Sequence, residues 1–200
     1  MEKKLKQKPI NLVKVVLFGP ESSGKTTLSR QLARHYNTVW APEFAREYLQ
    51  KKWNNERKTC EANDLIPIAI GQMKLENKLA TKADKILICD TDLLETKVYS
   101  EEFYGGFVDE DLDKAANENH YDLYLLTYID TPWEADDLRD RSEQRLEMFT
   151  AFESALKKHK RPYKLLKGDK QTRLQTAVKL IDKIISEKED LYFFSDSFDQ

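Results

Sequence analysis

The sequence predicts an α/β fold, a three-layer sandwich in which a parallel sheet of about five strands carries helices on both faces. Three observations predict it. Short and nearly all-apolar segments, such as residues 12–18 and 86–89, recur along the chain, as expected of strands buried on both faces. Between them lie longer segments whose apolar residues return every three to four positions, the helical period. The first apolar segment also runs into Gly-Pro-Glu-Ser-Ser-Gly-Lys-Thr at residues 19–26, two glycines followed by Lys and a hydroxyl residue, which is the P-loop pattern in its strand, loop and helix setting.

Composition bounds the rest. A chain of 200 residues with 40% hydrophobic content can bury one sizeable core. We therefore expect one domain over residues 12–188, between a basic tail at 1–11 and an acidic, aromatic tail at 189–200. A net charge of -2 with 34% charged residues gives no global field that argues for nucleic acid or membrane. Lys3, Lys4, Lys6 and Lys8 read as a solvated tail. Cys60 and Cys89 form no paired motif, and His35, His120 and His159 lack metal-ligand spacing, so neither zinc nor a disulfide framework is expected. Without a signal peptide or membrane span, the expected location is cytoplasmic.

In order, the β-branched run at 12–18 is the central strand, and a helix follows from Lys25 with Leu28, Leu32 and Ala33 on one face. Residues 38–41 form a second strand stopped by Pro42, and 43–53 a helix with Phe44, Tyr48 and Leu49 inward. The polar stretch 54–63 is an excursion. A longer helix at 64–82 places Ile68, Leu75 and Leu79 in register, and strand 86–89 ends in Asp90-Thr91-Asp92. Helix 93–104 stops at Gly105-Gly106, and the acidic run from Asp109 opens a short helix. Strand 121–127 precedes a polar stretch and a helix striped by Leu146, Phe149, Phe152 and Leu156. A fifth strand at 162–166 and a helix at 172–186 complete the domain.

The chemistry begins at the P-loop. A nucleoside triphosphate needs inward backbone N–H donors and a helix N-terminus, and Gly19 and Gly24 leave that approach open. Pro20, Glu21, Ser22, Ser23 and Thr27 complete the loop, Lys25 is expected at the β- and γ-phosphates, and the Thr26 hydroxyl on Mg²⁺. A carboxylate at the end of a buried strand is costly unless a cation meets it, so Asp90 is the expected second metal residue, with Asp92 as helix cap or substrate contact. Glu43 and Arg46 follow a strand end, where α/β proteins place ligands. Arg139, Arg141 and Arg145 suit a lid over a transferring phosphate, at about residues 133–145.

Five stretches resemble one family: residues 19–27, Pro-Glu-Phe-Ala-Arg-Glu-Tyr at 42–48, Gly71-Gln72, Cys-Asp-Thr-Asp at 89–92, and Thr-Pro-Trp-Glu-Ala-Asp-Asp-Leu-Arg at 131–139. Together they resemble the ribosylnicotinamide kinase domain of the trifunctional NAD-biosynthesis regulator, from about Val13 to Asp169. The resemblance implies ATP and Mg²⁺ as cofactors and phosphorylation of the 5′-hydroxyl of nicotinamide riboside, a small-molecule partner. It implies catalytic roles for Lys25, Asp90, Glu43 and the three lid arginines. Trp40, Glu43, Arg46, Gln72, Asp92 and Trp133 would meet the acceptor. The family's helix-turn-helix and adenylyltransferase regions have no counterpart in the stretch that is matched. A P-loop ATPase or ATP-binding regulator, and a deoxynucleoside- or thymidylate-type kinase, are the alternatives that the motifs leave open.

Overall fold

The computed structural model describes residues 2–138 and 142–196. Arg139, Arg141 and Phe198 lie outside the described residues, as do the side chains of Tyr192, Phe193 and Phe194. In chain order the elements are α1 (Glu2–Leu5), β1 (Val13–Phe18), α2 (Lys25–His35), β2 (Trp40–Ala41), α3 (Phe44–Glu56), α4 (Leu65–Ala80), β3 (Ile86–Cys89), α5 (Leu93–Phe103), α6 (Glu110–Glu118), β4 (Leu123–Thr127), α7 (Arg145–Lys158), β5 (Tyr163–Leu166) and α8 (Lys170–Asp196).

All strand pairs are parallel, in the order β2-β3-β1-β4-β5. From β1 the chain crosses to the edge at β2, returns to β3 beside β1, and then continues on the other side through β4 and β5. Two crossovers in opposite directions leave a crevice at the carboxyl ends of β1 and β3, where α/β sheets take ligands.

The alternation along β1 explains why the strand had to be apolar throughout. Val13, Val15 and Leu17 join Leu28 and Leu32 of α2 and Ala177 and Ile181 of α8 on one face. Val16 and Phe18 point the other way, to Val98 of α5 and Phe149, Phe152 and Leu156 of α7. Phe152 packs edge-on against Phe18, with ring centroids 5.0 Å apart, and against Tyr99 at 5.3 Å. Among the described residues no helix is long and apolar enough to cross a membrane.

Two features depart from the expected layout. The N-terminal lysines are exposed, but the segment is docked. Leu5 is fully buried with Ala69 and Met73 of α4, Leu93 of α5, and Leu112 of α6. Just after it, the Gln7 amide donates to Glu76 at 2.9 Å, beside the buried Lys14 ammonium at 3.5 Å and the Tyr121 hydroxyl at 2.8 Å. One leucine in a lysine-rich run carries no period, so its burial had no local signal. The last helix also extends beyond the expected end at 186, to Asp196.

Gly71 marks where α3 and α4 meet. A Cβ there would run into the Phe44 ring, so the glycine sets the close approach that holds Phe44 and the start of α3 beside the crevice.

Phe152→Ala removes the ring that fills the space between β1 and α5. We expect it to cost about 3–5 kcal/mol of unfolding free energy, as large-to-small changes in close-packed cores do. Urea denaturation checks this, and a loss below about 1 kcal/mol would mean that the ring is not central to this core.

Candidate active site

The loop after β1 is shaped by its neighbours. At Gly19, φ is +135° and a Cβ would lie 2.8 Å from the Thr127 hydroxyl at the end of β4, so a larger residue has no room. Gly24 opens α2 at φ 89° with no side-chain cap, which leaves the first N–H groups of the helix directed at the crevice. Ser23 closes the turn from inside, its hydroxyl 2.6 Å from both the Pro20 carbonyl and the Thr127 hydroxyl. Ser22 sits at φ 56°, a conformation that costs a non-glycine residue about 1–2 kcal/mol.

That strain is held from behind. The Ser22 carbonyl accepts from the Thr131 hydroxyl at 2.7 Å and from Arg145 at 2.8 Å, and its hydroxyl pairs with both the N–H and the carbonyl of Glu134. Arg173, buried at the start of α8, donates to the Ser23 carbonyl at 2.5 Å and to the Tyr128 carbonyl at 2.9 Å, and ion-pairs with Asp130. The sequence reading passed over Arg173. Its only signal is a basic residue in the first turn of an otherwise amphipathic helix, where a cation opposes the macrodipole and so needs another reason to be there.

Lys25 turns back into the loop. Its ammonium donates to the Gly19 carbonyl at 2.5 Å and the Pro20 carbonyl at 3.2 Å, and lies 3.2 Å from Glu95. Burial works to lower its pKa, but Glu95, Glu43 and Asp90 outweigh that and hold it above its ordinary value.

The acids come from the end of β3 and the first turn of α5. Asp90 accepts from the Thr26 hydroxyl at 2.7 Å and the Ser29 hydroxyl at 3.2 Å, and burial, with Glu43 nearby, pushes its pKa up to about 7. The pairing of Thr26 with Asp90 places the two expected metal residues in contact. Asp92 caps α5, accepting from the Glu95 N–H at 3.0 Å, and its other oxygen accepts from the Tyr124 hydroxyl at 2.7 Å. Both of its oxygens are engaged beneath the sheet end, so the expected substrate contact at Asp92 gives way to the cap.

Glu95 was also missed. Its side chain is 3% exposed, and among the described residues its Oε2 has no hydrogen-bond partner. The signal was available as the spacing Asp92-x-x-Glu95 at a helix start, but that spacing reads first as a capping pattern.

A cavity of about 160 Å³ opens beside Glu95, the ion-pair partner of Lys25, between α3, α4, α5 and the segment before α7. Glu21, Glu43, Glu95 and Arg145 supply charge to its wall, and Tyr99, Phe103, Tyr104 and Trp133 supply rings. Arg145 lies 5.7 Å from the Trp133 ring centroid, and among the described residues its buried Nε is without a partner.

Of the acceptor residues expected from sequence, Glu43, Gln72 and Trp133 line this cavity. The Gln72 amide oxygen accepts from the Phe44 N–H at 2.8 Å, which fixes the entry to α3 beside Glu43. Two others are elsewhere. Trp40 packs toward α2, with the Arg30 guanidinium 5.3 Å from its ring, because β2 directs it to the opposite face. Arg46 is held by Asp136 at 2.5 Å and 3.2 Å, a bidentate pair that ties α3 to the segment before α7. Thr27 is exposed on α2. Arg145, expected on a lid, is bound to the backbone of the loop. Among the described residues no cluster of three or more His, Cys, Asp or Glu could hold a metal ion.

The family model described as an AAA domain matches residues 14–173. The trifunctional NAD biosynthesis/regulator proteins NadR of Salmonella typhimurium and Escherichia coli are each 33% identical over 135 residues, 66% of this chain and 32% of theirs. The chain thus spans about a third of the length of the curated relatives it matches. The crystal structure of NadR protein in complex with NR superposes with a TM-score of 0.71 at 24% identity, over 86% of this chain and 50% of that one. Thymidylate kinase from Ehrlichia chaffeensis superposes at 0.62 and 18% identity, over 87% of this chain and 100% of that one. The fold is that of the P-loop kinases.

The raised acids make stability pH-dependent. Asp90 at about 7 and Asp92 at about 6 bind their protons more tightly in the folded chain than at the ordinary value of 3.8. This contribution is greatest below about pH 4 and is lost as pH rises toward 7. In nucleotide-free protein without Mg²⁺, Asp90→Asn should therefore shrink the fall in the urea midpoint between about pH 5 and pH 8, each pKa unit being about 1.4 kcal/mol. An unchanged pH dependence would show that Asp90 is not a strained buried acid.

Proposed function

This chain belongs to the AAA-domain family, and from that premise we propose that it is an ATP-dependent small-molecule kinase that phosphorylates the 5′-hydroxyl of nicotinamide riboside to give nicotinamide mononucleotide. The observation that carries the reading is the cavity walled by Glu95, whose other contact is Lys25. A P-loop alone holds a triphosphate, whereas a kinase needs an acceptor chamber opening directly onto the γ-phosphate position, and Lys25 and Glu95 join the two. The chamber's chemistry suits this acceptor. Nicotinamide riboside carries a positive charge on an aromatic ring, and Glu21, Glu43 and Glu95 with Tyr99, Phe103 and Trp133 would favour a cationic aromatic ligand. The 33% identity to NadR and the likeness to NadR in complex with NR support the same acceptor.

In this reading the N–H groups of residues 19–26 cradle the phosphates, and Lys25 offsets charge on the β- and γ-phosphates. A magnesium ion would be held by the Thr26 hydroxyl and Asp90. The two oxygens lie 2.7 Å apart, and Asp90, buried with only hydroxyl partners among the described residues, suits a hard cation. When bound, that ion would supply positive charge to offset that of the phosphates. Glu43 meets the acceptor ribose, Gln72 fixes the backbone beside it, and Trp133 with Arg145 closes the chamber over the ring. Arg145 also holds the Ser22 carbonyl, so acceptor binding and loop shape are coupled through one side chain. The enzyme would act on small molecules in the cytoplasm.

Following ADP formation with nicotinamide riboside, with pyrimidine nucleosides and monophosphates, and with no acceptor tests the proposal. Riboside-dependent ADP formation is expected, and riboside-independent hydrolysis would favour an ATPase instead. Lys25→Ala should lower the riboside-dependent rate by about 10²-fold or more while circular dichroism is unchanged, the loss typical of removing a charge aimed at the transition state.

A further inference from the structure

Among the acids around Lys25, the distribution of hydrogen bonds is uneven. Asp90 has an oxygen on each of two hydroxyls, and Asp92 has one on Tyr124 and one on the Glu95 N–H. Glu95 differs. Its Oε1 faces the Lys25 ammonium at 3.2 Å, but its Oε2 is buried and, among the described residues, unpartnered. Leaving a buried carboxylate oxygen without a donor is unfavourable, so such an atom on a residue that walls a cavity points to a ligand donor. Glu95 forms part of that wall.

Resting on the kinase reading, we propose that Glu95 is the catalytic residue that receives the acceptor hydroxyl, its Oε2 accepting that hydroxyl's hydrogen bond next to the γ-phosphate. The position follows from Lys25. The same ammonium that reaches the γ-phosphate now touches Oε1, so the acceptor oxygen bound at Oε2 lies one side chain away from the phosphorus it attacks. The helix start fixes the geometry, because Asp92 binds the Glu95 N–H and Tyr124 binds Asp92. In the transfer, the acceptor oxygen forms a bond to the γ-phosphorus of ATP as the bond from that phosphorus to the bridging oxygen breaks. ADP leaves with the electron pair, and the hydroxyl proton passes to Glu95 Oε2. Lys25, released from Glu95 as that carboxylate is neutralised, is free to follow the transferred charge.

Glu43 lines the same cavity and is the competing acceptor of the proton. It stands at the N-cap of α3 without a capping bond, is only partly buried, and carries no orphaned buried atom among the described residues.

The test is a binding and turnover cycle on the full chain. Wild type, Glu95→Gln and Glu95→Ala are each measured for riboside-dependent kcat, for ATP affinity, and for binding of nicotinamide riboside against its 5′-deoxy analogue. Thermal midpoints confirm that each variant is folded. Wild type is expected to bind the riboside about 10-fold or more tighter than the analogue, a charged hydrogen bond's share, and Glu95→Ala to bind the two within about 2-fold. Glu95→Gln is expected to lose about 10²-fold or more in kcat while ATP affinity stays within a few-fold. Full kcat in Glu95→Gln, or discrimination between riboside and analogue that survives Glu95→Ala, would overturn the assignment while leaving the kinase reading intact. A loss confined to ATP affinity would overturn it too, by reducing Glu95 to a support for Lys25. Wild type that binds no riboside and forms no riboside-dependent ADP would overturn both.

Discussion

The structure depends on one buried cation. Lys25 is 8% exposed at the start of α2, where the helix dipole is unfavourable to positive charge, and it is kept ionised by oxygens drawn from four other parts of the chain. Two carbonyls come from the loop after β1, and carboxylates come from the N-cap of α3, the residue after β3 and the first turn of α5. A charge of this kind is tolerable only if its partners are already in place, since desolvation in the interior costs several kcal/mol per ion. The parallel sheet supplies that condition. It brings the carboxyl ends of β1 and β3 side by side, so Gly19 and Asp90 arrive at the same crevice from segments about seventy residues apart in the chain.

Holding the loop open is the second requirement, and it is met by side chains from beyond the loop. Ser22 in a left-handed conformation persists because Thr131, Glu134 and Arg145 bind its polar groups, and Arg173 fixes the Ser23 carbonyl. These contacts come from the segment between β4 and α7, from the first residue of α7 and from α8, so elements outside the loop determine the shape of the phosphate cradle. Loop strain supported by a surrounding network is preorganisation: the N–H groups need not be rearranged when phosphate arrives.

How much of this could be read from residues alone follows from the same physics. Strands and helices were legible because burial on two faces or one imposes a period, and every expected strand is present with its order left undetermined. The P-loop was legible because its glycines, lysine and threonine are adjacent in sequence. Asp90 was legible from the cost of ending a buried strand in an acid. Glu95 and Arg173 were not, because each acts through partners far away in the chain while its local context already explains it as a first-turn residue. Trp40 and Arg46 went astray for the opposite reason. Being near the right motif places a residue on the right element, but the direction of one strand residue and the proximity of one loop acid, Asp136, decide where its side chain goes.

The cavity wall is where this chain can differ from the proteins that share its fold. A fold shared with thymidylate kinase at 18% identity carries no information on the acceptor, so specificity must lie in the groups that touch it. Here those groups divide by function. Rings from α5 and from the segment before α7 offer flat apolar area that accepts an aromatic base without reading its edges. Polar discrimination would fall to two atoms of wall residues that lack a partner among the described residues, Glu95 Oε2 and Arg145 Nε. A buried acceptor and a buried donor left open together reject any ligand that cannot supply the complementary donor and acceptor, because each would then stay unpaired in a dry site. Charge adds a further constraint. With Glu21, Glu43 and Glu95 in the wall, an anionic acceptor such as a nucleoside monophosphate would bring its phosphate against carboxylates, whereas an uncharged or cationic nucleoside would not. Two of the acids that keep Lys25 charged, Glu43 and Glu95, would thus also limit which acceptors can approach it.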